Sequence, residues 1–339
     1  MISLDEFVRT DVEKLVREFG SSFSRKRVLV TGGAGFLGSW LCDVLVESGA
    51  TVDCLDNFST STRKNIEHLE GRMNIFKSNV EDADLPSDYE FIFDFSSRAS
   101  PDEYIHHPIE TLTASSIGTM KMLELARKGS STLVHSSTSE IYGNPEVVPT
   151  PETYYGYTNS IGIRSCYDEG KRFAEALCMA YFRQHKVKIK LPRLFNSYGP
   201  RIRGDGLYGR ALPRFILQAL RNEPLTIYGD GSQTRSFCYV SDTIRGILKL
   251  ALSKRDTLVV NIGNPNEMTI LDLAKKIIES TKSSSKLAYS PLMQDDPMRR
   301  CADISVAKEI LGWEPLVNFD EGLGRTVKWF EAQLVRNSK

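Results

Sequence analysis

Two rhythms of apolar and polar positions run through this chain. Short apolar runs at Arg27-Val28-Leu29-Val30-Thr31, Thr51-Val52-Asp53-Cys54-Leu55, Ile75-Phe76, Phe91-Ile92-Phe93-Asp94-Phe95, Thr132-Leu133-Val134-His135 and Leu258-Val259-Val260-Asn261 predict buried strands, with Val187 to Leu194 a further candidate. Between them lie stretches with helical spacing: Trp40 to Val46, about Pro108 to Lys128, 163–186, Ile244–Leu252 and Leu271–Ile278. The tail from Ser305 to Leu334 is also largely helical, apart from the turn at Gly312-Trp313-Glu314-Pro315. Repeated strand–helix alternation predicts an α/β protein with a parallel sheet covered on both faces. Ligands of such a sheet sit beyond the carboxyl ends of its strands, where Thr138 and Glu140 emerge.

Residues 2–19 form an amphipathic leading helix, with Leu4, Phe7, Val12, Leu15, Val16 and Phe19 on one face and a Ser3/Glu6 capping box at its start. Its other face is mixed in charge rather than basic, so it is expected to pack on its own domain; a dimer or membrane-surface role is the alternative. After Leu194 the composition turns rich in turn formers, through Asn196-Ser197-Tyr198-Gly199-Pro200-Arg201 and Arg203-Gly204-Asp205-Gly206. The expected organisation is the helix at 1–24, a dinucleotide-binding domain at 25–195 that also receives about 236–262, and a smaller substrate-binding portion from 196–235 and 263–339.

A length of 339 residues suits that organisation. With 43 basic and 43 acidic residues the formal net charge is zero, which gives no footprint for nucleic acid or anionic lipid and points to a small partner. No apolar run approaches the ~18 residues of a membrane span, and acidic residues interrupt the N-terminus where a secretory signal would be apolar. The six cysteines lack Cys-x-x-Cys spacing, and no His/Cys group has the spacing of a metal site. A reduced, cytoplasmic protein without a metal is expected.

Three stretches carry the candidate chemistry. In Thr31-Gly32-Gly33-Ala34-Gly35-Phe36-Leu37-Gly38, between a strand and a helix, Gly32 permits a tight turn, Gly35 close backbone approach to a pyrophosphate, and Gly38 close helix–strand packing. Asp56-Asn57 ends the second strand. Asp56 can accept from ribose hydroxyls and repel a 2′-phosphate, favouring NAD over NADP, or it can simply cap a turn; Arg63 and Lys64 soften the preference. Tyr167 and Lys171 lie one helical turn apart, so the lysine cation is expected to depress a phenol that ordinarily titrates near ~10. Thr138 can hold the same substrate oxygen, and the set describes hydride transfer from an alcohol to bound NAD.

With these residues in view, the chain resembles the extended short-chain dehydrogenase/reductases, and among them most the UDP-glucuronate decarboxylases. The resemblance runs from about Lys26 to Phe330 and is most specific at Thr138-Ser139-Glu140-Ile141-Tyr142-Gly143, Cys166-Tyr167-Asp168-Glu169-Gly170-Lys171-Arg172, Gly231-Ser232-Gln233-Thr234-Arg235 and Asp295-Asp296-Pro297-Met298-Arg299-Arg300. It implies a Rossmann-type doubly wound sheet, NAD, a homodimer through the two long helices, and decarboxylation of UDP-glucuronate to UDP-xylose. The implied route is C4 oxidation by Thr138, Tyr167 and Lys171, loss of CO2 from the 4-keto-uronate, and re-reduction. Ser139, Glu140 and Arg300 are then placed near the departing carboxyl and the carbon to be reprotonated. A 4-epimerase or 4,6-dehydratase on the same scaffold is the alternative, although Ser139 stands where a dehydratase usually offers an acid.

Other positions are less determined. Arg210 and Arg235 are candidate diphosphate clamps or surface arginines; Tyr104 contacts the sugar or merely packs; Asn196 orients substrate or shapes a turn. Departures from the family pattern occur at Arg98 (usually proline), Ser115 (asparagine), Ser160 (proline) and Asn79 (often aspartate). Of these, Arg98 is an extra cation able to meet a carboxylate or to alter the choice of sugar.

Overall fold

The computed structural model describes residues 6–204, 210–292 and 296–337. Ser3 of the expected capping box, Asp205-Gly206 and Asp295 lie outside them.

Helix α1 (Glu6–Phe23) leads into strand β1 (Arg27–Thr31), helix α2 (Phe36–Glu47), and strands β2 (Thr51–Leu55), β3 (Asn74–Phe76) and β4 (Phe91–Asp94). Helices α3 (Pro101–His106) and α4 (Pro108–Thr113), a π-helical turn at Ala114–Gly118 and α5 (Thr119–Gly129) return to β5 (Thr132–His135) and the short β6 (Ser137–Thr138). Next come α6 (Ser165–His185), β7 (Lys188–Leu194) and β8 (Ser197–Tyr198). The run expected as one helix over 108–128 is therefore interrupted by a wider turn. Gly118 lies there with Val80 where its Cβ would stand (2.4 Å), and Ser115 faces Gly170 of α6.

The second half alternates short strands and helices: α7 (Ala211–Leu220), β9 (Leu225–Tyr228), β10 (Thr234–Ser236), β11 (Cys238–Tyr239), α8 (Val240–Ala251), β12 (Thr257–Ile262), β13 (Glu267–Thr269), α9 (Ile270–Thr281), β14 (Leu287–Ser290), α10 (Ser305–Leu311) and α11 (Phe319–Asn337). Pairs β9/β14, β10/β13 and β8/β11 sit apart from the main sheet.

The main sheet is wholly parallel, in the order β3-β2-β1-β4-β5-β7-β12, with β6 also on β7. The order reverses direction between β1 and β4, the switch point where a doubly wound sheet opens a crevice. Alternate residues of each strand enter opposite layers. Val28, Val30, Phe93 and Val134 pack with Trp40, Leu41 and Ile244 of α2 and α8. Leu29, Ile92 and Leu133 pack with Met122, Leu123 and Cys178 of α5 and α6.

Helix α1 buries Val8, Val12, Leu15, Phe19 and Phe23 in the first of those layers, as expected of a helix that packs on its own chain. Asp11 also accepts two hydrogen bonds from Arg325 of α11 (2.7 and 2.8 Å). Helix α2 makes a second long-range tie. The Trp40 indole N–H donates to the Pro200 carbonyl (3.2 Å), and Asp43 pairs with buried Arg201 (2.7 Å), which adopts a left-handed φ of 73°.

Candidate functional site

A cleft of about 970 Å³ opens at the switch point. Its walls include the glycine loop, the segment after β2, the β4–α3 loop, the β6 turn, the start of α6, and residues 194–204. On the cofactor side, Gly32 has φ +64°, and a Cβ there would stand 2.6 Å from the Phe95 carbonyl. A Cβ on Gly38 would lie 2.1 Å from the Gly32 carbonyl, so α2 reaches its strand only through a glycine. Helix α2 begins at Phe36, which leaves the amides of Phe36, Leu37 and Gly38 without intrahelical acceptors. The loop thus fits a diphosphate.

Asp56 also lies in the cleft but is tied into the loop itself. Its Oδ2 accepts from the Ala34 N–H (2.9 Å), and its Oδ1 accepts from the Phe58 N–H (2.8 Å) and the Ser61 hydroxyl (2.7 Å). The capping role is therefore real, and a lone pair on Oδ2 remains for a further donor. Asn57 donates to Asn79 (2.8 Å), which in turn donates to Asp82 (3.0 Å).

Beyond the carboxyl edge, Thr138 ends β6 and a 3₁₀ turn (Ser139–Tyr142) carries Ser139 and Glu140. Tyr167 projects from the first turn of α6 and stacks on Tyr104, with ring centroids 5.1 Å apart and an interplanar angle of 9°. The structure departs here from the expected depression of the phenol. Burial first, and then the Glu140 charge, push Tyr167 up to about 12, although Arg210 and a Thr138 hydrogen bond pull the other way. The Lys171 ammonium is directed instead at the Ser136 carbonyl (2.8 Å), and burial lowers it to about 8. Tyr104 is 1% exposed and its hydroxyl has no protein partner, so it is packed and yet polar-ended inside the cleft wall.

Glu140 is held between Arg164 on Oε2 and Arg300 on Oε1. Burial alone would raise its carboxyl, but Arg300, Arg164 and Arg235 bring it down to about 2, so it is an anion at neutral pH. Arg164 was not apparent from sequence; its position one turn before Asp168, on the face that turns toward Glu140, was the only signal. Asp168 lies 3.7 Å from Arg164, and burial and then the Glu140 charge push it up to about 7. Arg300 is 5% exposed, and its Nε and Nη2 have no hydrogen-bond partner among the described residues.

The remaining candidates divide. Arg235 pairs with Asp296 (2.9 Å) and donates to the Thr234 carbonyl (2.8 Å), while exposed Arg210 donates to the Ala99 carbonyl (3.5 Å). Both line the cleft. Asn196 donates to the Ser236 carbonyl (3.3 Å), a turn-shaping contact, and also lines the cleft. Arg98 donates to Glu103 (3.0 Å), which also accepts from Arg203 (3.0 Å), so its charge is answered within the chain. Among the described residues no group of three or more His, Cys, Asp or Glu side chains is placed to hold a metal ion.

A Rossmann-type sheet with a glycine loop at its switch point and a Thr/Tyr/Lys cluster beyond its carboxyl edge defines a dinucleotide-fold protein of the short-chain dehydrogenase/reductase class. A family model described as GDP-mannose 4,6 dehydratase matches residues 29–326, and the chain belongs to that family of extended short-chain dehydrogenase/reductases. It is 46% identical to UDP-glucuronic acid decarboxylase 1 of Danio rerio over 318 residues, 94% of this chain and 75% of the relative. It is 44% identical to UDP-glucuronic acid decarboxylase 3 of Arabidopsis thaliana over 300 residues, 88% of this chain and 86% of that one. The solved UDP-glucuronic acid 4-epimerase from Bacillus cereus, in complex with UDP-glucuronic acid and NAD, superposes with a TM-score of 0.82 at 29% identity, covering 91% of this chain and 99% of the epimerase.

Proposed function

We propose that the protein is a NAD-dependent nucleotide-sugar decarboxylase that converts UDP-glucuronate to UDP-xylose. The observation that carries the reading is Arg300, whose nitrogens without a partner among the described residues lie in the same cleft as Thr138, Tyr167 and Lys171 and suit a sugar carboxylate. Bound NAD supplies the acceptor for the C4 hydride and, once reduced, its donor. Tyr167 takes the proton of the C4 hydroxyl, Thr138 holds the same oxygen, and Lys171 supplies positive charge.

The ketone at C4 is β to the carboxylate, so CO2 leaves as its bonding electrons pass into the C4 oxygen, an enolate that Tyr167 and Thr138 stabilise. Arg300 orients the carboxyl until it departs. Glu140, anionic, fixes Arg300, with Ser139 beside it facing the carbon to be reprotonated. Reduction at C4 then completes a cycle without net redox change.

The same reading assigns the diphosphate of NAD to Gly32, Gly35, Phe36, Leu37 and Gly38, and its ribose groups to Asp56, Asn57, Tyr167 and Lys171. Tyr104, Asn196, Arg210 and Arg235 go to the nucleotide sugar. It divides the chain into a NAD-binding domain (25–195 with about 236–262) and a substrate portion (196–235 and 263–339).

A homodimer belongs to the proposal: Ile109, Leu112, Ile117 and Met120 along the 108–129 helical run, and Phe173 on α6, are large apolar side chains at the surface. Light scattering at micromolar concentration tests it, and a monomer would remove it. A cytoplasmic setting accords with six buried, unpaired cysteines. Among the described residues no helix is long and apolar enough to cross a membrane.

Incubation with UDP-glucuronate and NAD, followed by NMR, tests the function. CO2 and UDP-xylose without lasting NADH support it. UDP-galacturonate without CO2 would replace it with 4-epimerisation, the activity of the Bacillus cereus neighbour.

A further inference from the structure

Thr31, Asp94 and His135 are the last residues of β1, β4 and β5, three adjacent strands in register, with Thr31 opposite Asp94 and Asp94 opposite His135. Each continues the strand face of Leu29, Ile92 and Leu133 that packs toward α5 and α6. An apolar face thus ends in a polar row beneath the cleft. The Thr31 hydroxyl donates to Asp94 Oδ1 (2.8 Å), His135 Nδ1 is 2.8 Å from Asp94 Oδ2, and Asp94 and His135 are 3% and 1% exposed.

Helix α6 brings Lys171 beside the same row, near enough for its charge to act on Asp94 and His135 but with no direct ion pair to Asp94 among the described residues. Its ammonium donates to the carbonyl of Ser136, the residue after His135, and the Ser136 N–H donates to the Asp94 carbonyl (3.0 Å). The other ionisable groups facing Lys171 are Glu175 and Cys178, on its own helix. Glu175 is answered by both nitrogens of a forked Arg193 contact (2.9 and 2.8 Å) and by the Ser137 hydroxyl (2.5 Å). Burial pushes the Cys178 thiol well up, so it is neutral. Asp94 has no guanidinium partner among its contacts, and it is the carboxylate left to balance Lys171.

We propose that Asp94 and His135 are positioning residues that hold Lys171 as a cation: Asp94 is its buried counter-charge, and neutral His135 fixes that carboxylate by donating from Nδ1. This rests on the proposed role of Lys171 beside Tyr167. An ionised carboxylate only accepts, which places the imidazole proton on Nδ1. Burial and the Lys171 charge both lower His135, which keeps it neutral. Burial would raise Asp94, but His135, Lys171 and Thr31 together hold it below its ordinary value. His135 Nε2 is buried without a hydrogen-bond partner among the described residues, as befits a group serving through its other nitrogen.

The test is Asp94→Asn in the full chain, read by the pH dependence of NAD affinity and of single-turnover NADH formation. Removing the counter-charge lowers the alkaline limb of both profiles by about one to three pH units. His135→Asn, which keeps an N–H donor near Nδ1, holds the limb close to wild type, whereas His135→Leu moves it in the direction of Asp94→Asn. If Asp94→Asn does not fold, the two His135 variants make the same comparison. In wild-type protein, nitrogen NMR of the His135 ring is expected to find a neutral imidazole protonated at Nδ1 across the neutral range. Loss of activity at every pH with an unmoved limb, or a His135 protonated on both nitrogens at neutral pH, overturns the inference. A wild-type protein that binds NAD but forms no NADH from UDP-glucuronate overturns the function instead, while the binding limb still decides the role of Asp94.

Discussion

Two buried charged regions flank Thr138, and they are balanced in opposite senses. Around Lys171 there is one cation, cooled by burial to about 8, with Asp94 as its carboxylate and Tyr167 nearby as a reluctant phenol. Around Glu140 three arginines, Arg164, Arg300 and Arg235, face Glu140, Asp168 and Asp296, and Glu140 is driven to about 2 while Asp168 is pushed up to about 7. In the first region burial brings the lysine toward neutral pH and moves the phenol away from it. The second leaves Nε and Nη2 of Arg300 without a partner among the described residues, which suits a site for an incoming anion. On the proposed function, acid/base work and carboxylate recognition are thus separated by one strand-end residue.

The largest expected effect comes from breaking the first region. Tyr167→Phe removes the proton acceptor while keeping the stack on Tyr104, and turnover should fall by ~10²–10⁴ with NAD affinity retained, measured by steady-state kinetics and a binding titration. An effect under tenfold would mean that the base is elsewhere.

Arg300→Ala breaks the second region. It leaves Glu140 paired only with Arg164 and removes the free nitrogens, so CO2 release should drop by roughly 10² or more. NADH formation should survive better than CO2 release, and equal losses would erase the distinction between the regions. Rapid-quench measurement of both products decides.

Glu140→Gln sharpens the comparison through stability. The folded value of Glu140 lies below the ordinary 4.5, so its pairing contributes stability that is complete above that value and is lost as pH falls through about 2. The denaturation midpoint of the wild type should therefore fall more steeply than that of the variant below about pH 4.5. Parallel curves would remove Glu140 from the acid response.

The smallest effect is assigned to Arg98→Ala. Its charge is already met by Glu103, so the Michaelis constant for the nucleotide sugar should change by less than about threefold. A larger rise would return Arg98 to the sugar pocket.

Much of this layout was legible along the chain because it is local. The glycine loop lies directly between an apolar run and a helical one, and Tyr167 and Lys171 share a helical face whatever surrounds them. β1, β2 and β5 occupy the expected residues because their runs are short, apolar and bounded by turn formers. Other features depend on contacts that sequence spacing does not encode. Arg164 meets Glu140 across 24 residues, and the Asp94–His135 contact exists only through the register of β4 on β5. The upward shift of Tyr167 is a product of burial and then of the Glu140 charge, which oppose what Lys171 four residues away would do alone. The strands at 225–228, 234–236, 267–269 and 287–290 escaped notice because runs of three or four residues carry little periodicity.

Helix α2 is a rod with a fulcrum. Its first turn stands at the glycine loop, and its flank is bolted to Pro200 and Arg201 by Trp40 and Asp43. On the proposed assignment of ligands, a tilt that a guest imposes at the loop would be delivered to the segment that opens the opposite wall of the cleft, and by reciprocity a push on that wall would be felt at the loop. The loop and the opposite wall of the cleft, though they come from different halves of the chain, lean on a single beam.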